Sequence, residues 1–202
     1  MAFFGGTFDP IHRGHLRLAA AAAEGFALDR VLFAPVGRQP LKADATIAPF
    51  ADRLAMVAIA VAGCDPATRN FLPSALDAPR PDGAPNYTVD TLAAFADEFP
   101  DATHFALIGA DSFLTLPRWR DAARLLELAE WIVVSRPGFA LQQLDALGLT
   151  PTQRLRVHPL AGVEEPASAT RIREELLAGS DCAGLLPPPV LAYIRAHHLY
   201  GT

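Results

Sequence analysis

Phe3-Phe4-Gly5-Gly6-Thr7-Phe8-Asp9-Pro10-Ile11-His12-Arg13-Gly14-His15-Leu16 opens the chain almost at its first residue. It reads as a short buried strand, a glycine turn, and the N-terminus of a helix whose first turn carries two histidines. That combination describes an anion site. Gly5 and Gly6 lack the Cβ that would hold a phosphate away from backbone N–H groups, and a helix beginning near Gly14 aims its amides and positive dipole end at the same space. His12 and His15 straddle the turn into that helix, so two imidazoles can converge on one phosphoryl group. Taken singly, each part has an ordinary reading: a glycine pair is a turn, and a His-x-x-His is an incidental pair. Their conjunction favours phosphate. The stretch has neither the G-x-G-x-x-G dinucleotide fingerprint nor the Gly-Lys-Ser/Thr of a P-loop. A zinc site would need more ligands at short spacing, and only Asp9 accompanies the histidines.

Outward from this stretch, 202 residues with 51% hydrophobic content can bury one substantial core, and the length suggests a single domain, residues 1–202, with a small C-terminal helical part over 167–202. The net charge is −5 with Lys and Arg scattered, which argues against a nucleic-acid surface. Cys64 and Cys182 are the two cysteines, and the N-terminus shows no charged region followed by an apolar signal core, so a cytoplasmic chain with reduced thiols is expected. The most apolar window, 54–62, is too short to span a bilayer. A homo-oligomer is compatible with the sequence, which marks no interface for one.

Apolar runs predict strands at 2–4, 30–35, 70–73, 103–108, 130–135 and 154–159, the first unusually short, with helices at 15–26, 50–63, 89–99, 168–178 and 190–199. Strands alternating with helices give an α/β fold: a Rossmann-like, doubly wound parallel sheet with helices on both faces. Ligands of such sheets bind past the carboxyl ends of the strands. Lys42 follows the second strand, Asp111 the fourth, and Arg136 the fifth, each placed for that edge. Asp52 and Arg53 are expected at the exposed start of their helix, Thr88 as an N-cap, and His158 as a structural residue. Trp119, after a proline turn, is either a packing residue or a platform for a flat ring. Ser168 and Thr170 open the fourth of these helices, and Arg171 and Arg173 in its first turn oppose the dipole unless an anion is present.

The Gly5–His15 stretch resembles the signature of the nucleotidyltransferase superfamily with an H-x-G-H motif, and most closely its bacterial nicotinate-nucleotide adenylyltransferases. Ser168, Thr170 and Arg173 are similar to the second signature, Ser-x-Thr-x-x-Arg. The resemblance covers nearly the whole chain. It implies adenylyl transfer from ATP to nicotinate mononucleotide, giving deamido-NAD and pyrophosphate, with Mg²⁺ held mainly by phosphates rather than by protein ligands. It implies catalytic roles for Thr7, His12 and His15, and ATP binding by Gly5, Gly6, Phe8, Asp111, Ser168, Thr170 and Arg173. It also implies mononucleotide binding by Lys42, Tyr87, Thr88, Trp119 and Arg136. Leu41 departs from the pattern, where many relatives have His or another polar residue. The alternatives are nicotinamide mononucleotide or another phosphate acceptor in the same superfamily, and a noncatalytic nucleotide-binding protein.

Overall fold

The computed structural model describes residues 1–40, 46–62, 70–135, 141–161 and 168–202. Its strands are β1 (Ala2–Gly6), β2 (Val31–Pro35), β3 (Phe71–Pro73), β4 (Phe105–Gly109), β5 (Glu130–Val134) and β6 (Val157–Leu160). They form one sheet in the order β3-β2-β1-β4-β5-β6, with every neighbouring pair parallel. The helices are α1 (Arg13–Gly25), α2 (Phe50–Val61), α3 (Thr88–Glu98), α4 (Ala110–Phe113), α5 (Ala122–Leu128), α6 (Pro151–Arg154), α7 (Ala169–Leu177) and α8 (Pro188–Ala196). The doubly wound expectation holds.

Period-2 alternation along β1 divides the core between the two faces of the sheet. Phe4 packs with Phe33, ring centroids 5.2 Å apart, in a cluster that takes in Ala19 and Ala22 of α1, Met56 and Val57 of α2, Ile172 of α7 and Ile194 of α8. Phe3 faces the other way, 6.1 Å from Phe95, in a cluster with Leu92 of α3, Leu125 of α5 and Trp131 of β5. Each buried Phe, Leu, Ile, Val or Met among them contributes roughly 1.5–3 kcal/mol, and the alanines less. Strands buried on both faces read as continuous apolar runs, which is why most of them were legible.

The sheet also makes the ligand crevice. Strand order reverses at β1, and β1 pairs with β4 only at Ala2–Phe105 and Phe3–Ala106. Beyond Phe3 the two strands are no longer in register with each other, and a cleft opens between their carboxyl ends, as expected at a switch point. Among the described residues no helix is long and apolar enough to cross a membrane.

Several expectations need correction. Gly5 and Gly6 belong to β1, paired with Ala34 and Pro35, so the turn starts at Thr7 rather than at the glycines. Helix α1 starts at Arg13 with His12 as its N-cap. Tyr87, not Thr88, is the N-cap of α3. Arg154 closes α6 and lies outside β6. Arg53 is 1% exposed rather than sitting at an open helix start, because it shares a helical stripe with Met56, Val57 and Ala60.

Candidate active site

The loop between β1 and α1 is strained and then pinned. Phe8 has a left-handed backbone, φ 48°, a conformation that costs a non-glycine residue about 1 kcal/mol. Its fully buried ring meets Phe4 edge-on at 5.4 Å and His15 at 5.0 Å, and that packing holds the strain. The glycines serve the same rings: a Cβ on Gly5 would lie 2.8 Å from the Phe3 ring, and one on Gly6 3.1 Å from the Phe8 ring.

His12 and His15 do converge. Their rings stack with centroids 3.7 Å apart, and the His12 backbone N–H donates to His15 Nδ1 at 3.2 Å. Accepting at Nδ1 places the proton of the neutral ring on Nε2, the nitrogen left to meet a ligand. Burial, and secondly the neighbouring His12, hold His15 well below its ordinary pKa. At neutral pH it therefore offers an uncharged Nε2–H donor. Some of the amides at the start of α1 are already engaged: Arg13 N–H donates to Leu185 O at 2.9 Å and His15 N–H to His12 O at 3.0 Å.

Distant segments fix the rest of the loop. Asp9 is 1% exposed, and its carboxylate accepts from Ile47 N–H at 2.6 Å, Ala48 N–H at 3.1 Å and the Tyr200 hydroxyl at 2.7 Å. Burial, then the bond to Asp9, raise the Tyr200 pKa, so the phenol remains a donor. The Asp9 carbonyl accepts from Arg173 Nη1 at 2.8 Å, and the Thr7 carbonyl from Arg53 Nη1 at 2.8 Å. Arg53 Nε donates to Ala48 O at 3.2 Å.

The loop forms one side of a cleft of about 680 Å³ between β1 and β4. Gly5, Gly6, Thr7, Phe8 and His15 line it on that side, and Asp77, Tyr87, Thr88, Trp119 and Arg120 line it elsewhere. Bonds of mostly shorter range hold the second wall. Trp119 Nε1 donates to Thr115 Oγ1 at 2.8 Å, which aligns the indole. Asn86 Nδ2 donates to the Ala78 carbonyl at 2.8 Å, and its Oδ1 accepts from Arg38 N–H at 2.9 Å. Gly37 lets these strands of chain approach: a Cβ there would meet Pro79 N at 2.5 Å. Asp77 accepts from the Thr91 hydroxyl at 2.8 Å, and burial pushes its pKa up to about 6.

Of the residues singled out in the sequence, the cleft gathers Gly5, Gly6, Thr7, Phe8, His15, Tyr87, Thr88 and Trp119. His12 stacks on His15 without lining the cleft. Ser168 caps α7, accepting from Arg171 N–H at 3.2 Å, and Arg173 bonds Thr170 Oγ1 at 3.3 Å. Arg171 needs no anion, since its side chain pairs with Glu175 at 2.7 Å. Asp111 is exposed in α4 and is not among the cleft-lining residues, although its neighbour Ser112 is. Lys42, Arg136 and Cys64 lie outside the described residues. Among the described residues no group of three His, Cys, Asp or Glu side chains is placed to hold a metal ion.

Sequence reasoning missed Asp9, Arg53, Asp77, Tyr200 and Arg120. An arginine on the apolar stripe of α2 was a readable signal for Arg53. Nothing local announces Tyr200, whose partner lies 191 positions away.

Comparison with known proteins identifies the family and its relatives. The family model described as cytidylyltransferase-like matches residues 3–175. A protein of Gloeobacter violaceus named "Probable nicotinate-nucleotide adenylyltransferase" is 39% identical over 202 residues, covering 99% of this chain and 95% of its own. One of the same name from Solibacter usitatus is 41% identical over 201 residues, covering 99% and 98%. Among solved structures, the Plasmodium falciparum nicotinic acid mononucleotide adenylyltransferase complexed with NaAD superposes with a TM-score of 0.76, covering 98% of this chain and 96% of that one. At 16% identity that likeness speaks for the fold alone.

Proposed function

The chain belongs to the cytidylyltransferase-like family and, within it, to the nicotinate-nucleotide adenylyltransferases, and from that membership we propose how its cleft performs adenylyl transfer. The enzyme joins the 5′-phosphate of nicotinate mononucleotide to the AMP portion of ATP. A phosphate oxygen attacks the α-phosphorus, the bond from that phosphorus to the bridging β-oxygen breaks, and pyrophosphate leaves with the electron pair. The attacking group is already an anion, so no general base is needed. Positioning and charge stabilisation carry the rate.

The observation that carries this reading is the neutral His15 donor at the cleft, with its Nδ1 held by His12 N–H. It donates from Nε2 to the α-phosphate as charge builds in the transition state, and Gly5 to Phe8 shape the space beside it. His12 supports the same group. Ser168, Thr170 and Arg173 hold the leaving pyrophosphate; Arg173 also grips the Asp9 carbonyl, so the two phosphate-binding elements stay in register. Tyr87, Thr88 and Trp119 receive the pyridine ring, with Lys42 and Arg136 on mononucleotide phosphate and Asp111 on the ATP side. Residues 1–202 act as one catalytic unit, since Tyr200 of the C-terminal part bonds the loop that begins the chain.

Bound to the phosphates of ATP, Mg²⁺ would neutralise part of their charge. A cytoplasmic location belongs to the same reading, resting on a sequence with two cysteines.

The test is pyrophosphate release from Mg-ATP with nicotinate mononucleotide and, separately, nicotinamide mononucleotide. Turnover preferring the acid is expected. Preference for the amide would keep the mechanism and overturn the acceptor, and ATP binding without turnover of either would make the chain a nucleotide-binding protein.

A further inference from the structure

Arg120 follows Trp119 in the chain, and its guanidinium lies 4.6 Å from the centre of the Tyr87 ring. Both side chains line the cleft, in the company of Thr88 and Trp119. A guanidinium stacked on an aromatic face uses its plane for that contact and keeps its N–H edge available to a ligand. The described lining residues include one carboxylate, Asp77, against the cations Arg118 and Arg120, and Asp77 turns an oxygen to the Thr91 hydroxyl.

Two pyridine mononucleotides compete for such a site. They share ring, ribose and phosphate, and they differ in a carboxylate against a carboxamide of nearly equal shape. Shape cannot separate them, whereas a fixed positive charge can. We propose that Arg120 is a specificity-determining residue, placing a positive charge at the Tyr87–Trp119 end of the cleft that favours the pyridine carboxylate over the carboxamide. The inference rests on the adenylyl-transfer reading above and deepens it. The mononucleotide phosphate is not the partner of Arg120, because that phosphate must reach the reacting centre beside His15 while Arg120 contacts the residues that receive the ring.

The experiment measures kcat and KM for both mononucleotides with the wild type, Arg120→Lys and Arg120→Leu, at low and high salt. Arg120 is exposed, so water screens its charge and an effect of about tenfold is expected rather than a larger one. Arg120→Leu should lose that much kcat/KM for the acid, through KM, with the amide unchanged; Arg120→Lys should recover most of it. Salt should raise the KM for the acid more in the wild type than in Arg120→Leu, because the shared phosphate contacts are screened in both. Equal losses for acid and amide would overturn the proposal, assigning Arg120 to the shared phosphate or to cleft shape. Wild-type turnover of the acid combined with an unaltered Arg120→Leu would overturn it alone. Silence of the wild type with both mononucleotides would sink the parent reading and this inference together.

Discussion

The two walls of the cleft are held by bonds of different range, mostly long on one side and mostly short on the other. On the reacting side, the Thr7–Asp9 loop is tied to Arg53, Arg173 and Tyr200, residues on α2, on α7 and at the end of the chain. On the pyridine side, Trp119 bonds Thr115, Asn86 bonds Ala78 and Asp77 bonds Thr91, partners 4, 8 and 14 positions apart, and one longer link runs from Arg38 N–H to Asn86. Displacing a reacting atom by about an ångström can cost a hundredfold in rate, so the loop that aligns phosphates is the one worth fixing from several directions. Recognising a flat ring tolerates a locally built pocket.

The sharpest way to break that contrast is Arg53→Met. It strips donors from the partly buried Thr7 carbonyl and the buried Ala48 carbonyl and removes a cation beside buried Asp9. A loss of about 3–4 kcal/mol in unfolding free energy is expected, read from the urea midpoint. A loss under about 1 kcal/mol would mean the loop does not depend on its distant clamp.

His15→Ala comes next. Removing a transition-state donor should lower kcat about a hundredfold or more, equivalent to about 2.7 kcal/mol, with the fold intact and the melting temperature lowered by the lost packing against Phe8 and His12. Wild-type turnover in this variant would remove His15 from the chemistry. Because the folded ring resists protonation, its stability contribution is full above the ordinary value of 6.5 and declines as pH falls below it, when the unfolded chain takes up the proton first.

Tyr200→Phe sharpens the contrast by deleting one hydroxyl. The bond runs to a buried carboxylate, so about 2 kcal/mol of stability should go, together with a several-fold loss in kcat. Asp9 keeps Ile47 and Ala48 as donors, which limits the damage. An unchanged urea midpoint with wild-type kcat would show that the chain's end is not part of the alignment.

The same difference of range explains what the sequence made legible. Strands, their parallel direction and part of the pyridine wall follow from local patterns: apolar runs and an Asn86-Tyr87-Thr88 turn. The histidine pair was visible because three residues suffice to bring it together. Arg53 was misplaced because charge near a helix start was given more weight than the stripe it shares with Met56 and Ala60. Tyr200 was unreadable, since it reaches Asp9 only after a C-terminal turn in which His198 and Tyr200 both take left-handed backbone, φ 52° and 58°. No short window of sequence encodes that path.

The smallest expected effect belongs to the pyridine wall. Burial raises the Asp77 carboxyl from its ordinary 3.8 to about 6, against the opposing hydrogen bond from Thr91. Between those two values the folded chain binds the proton more tightly than the unfolded chain, so this group's contribution to stability falls as pH rises through that window and stays low above it. Asp77→Asn keeps an oxygen for the Thr91 hydroxyl and cannot ionise. Its advantage over wild type should therefore be absent near pH 4 and grow to about 1–2 kcal/mol at pH 8, discounted from the full linkage value because the group borders an open cleft. Taking the difference between the two proteins cancels the opposite pH trend of His15. A variant weakened equally at both pH values would mean that Asp77 is held ionised by a partner, and the pyridine wall would then depend on a charge pair much as the reacting loop depends on Arg53.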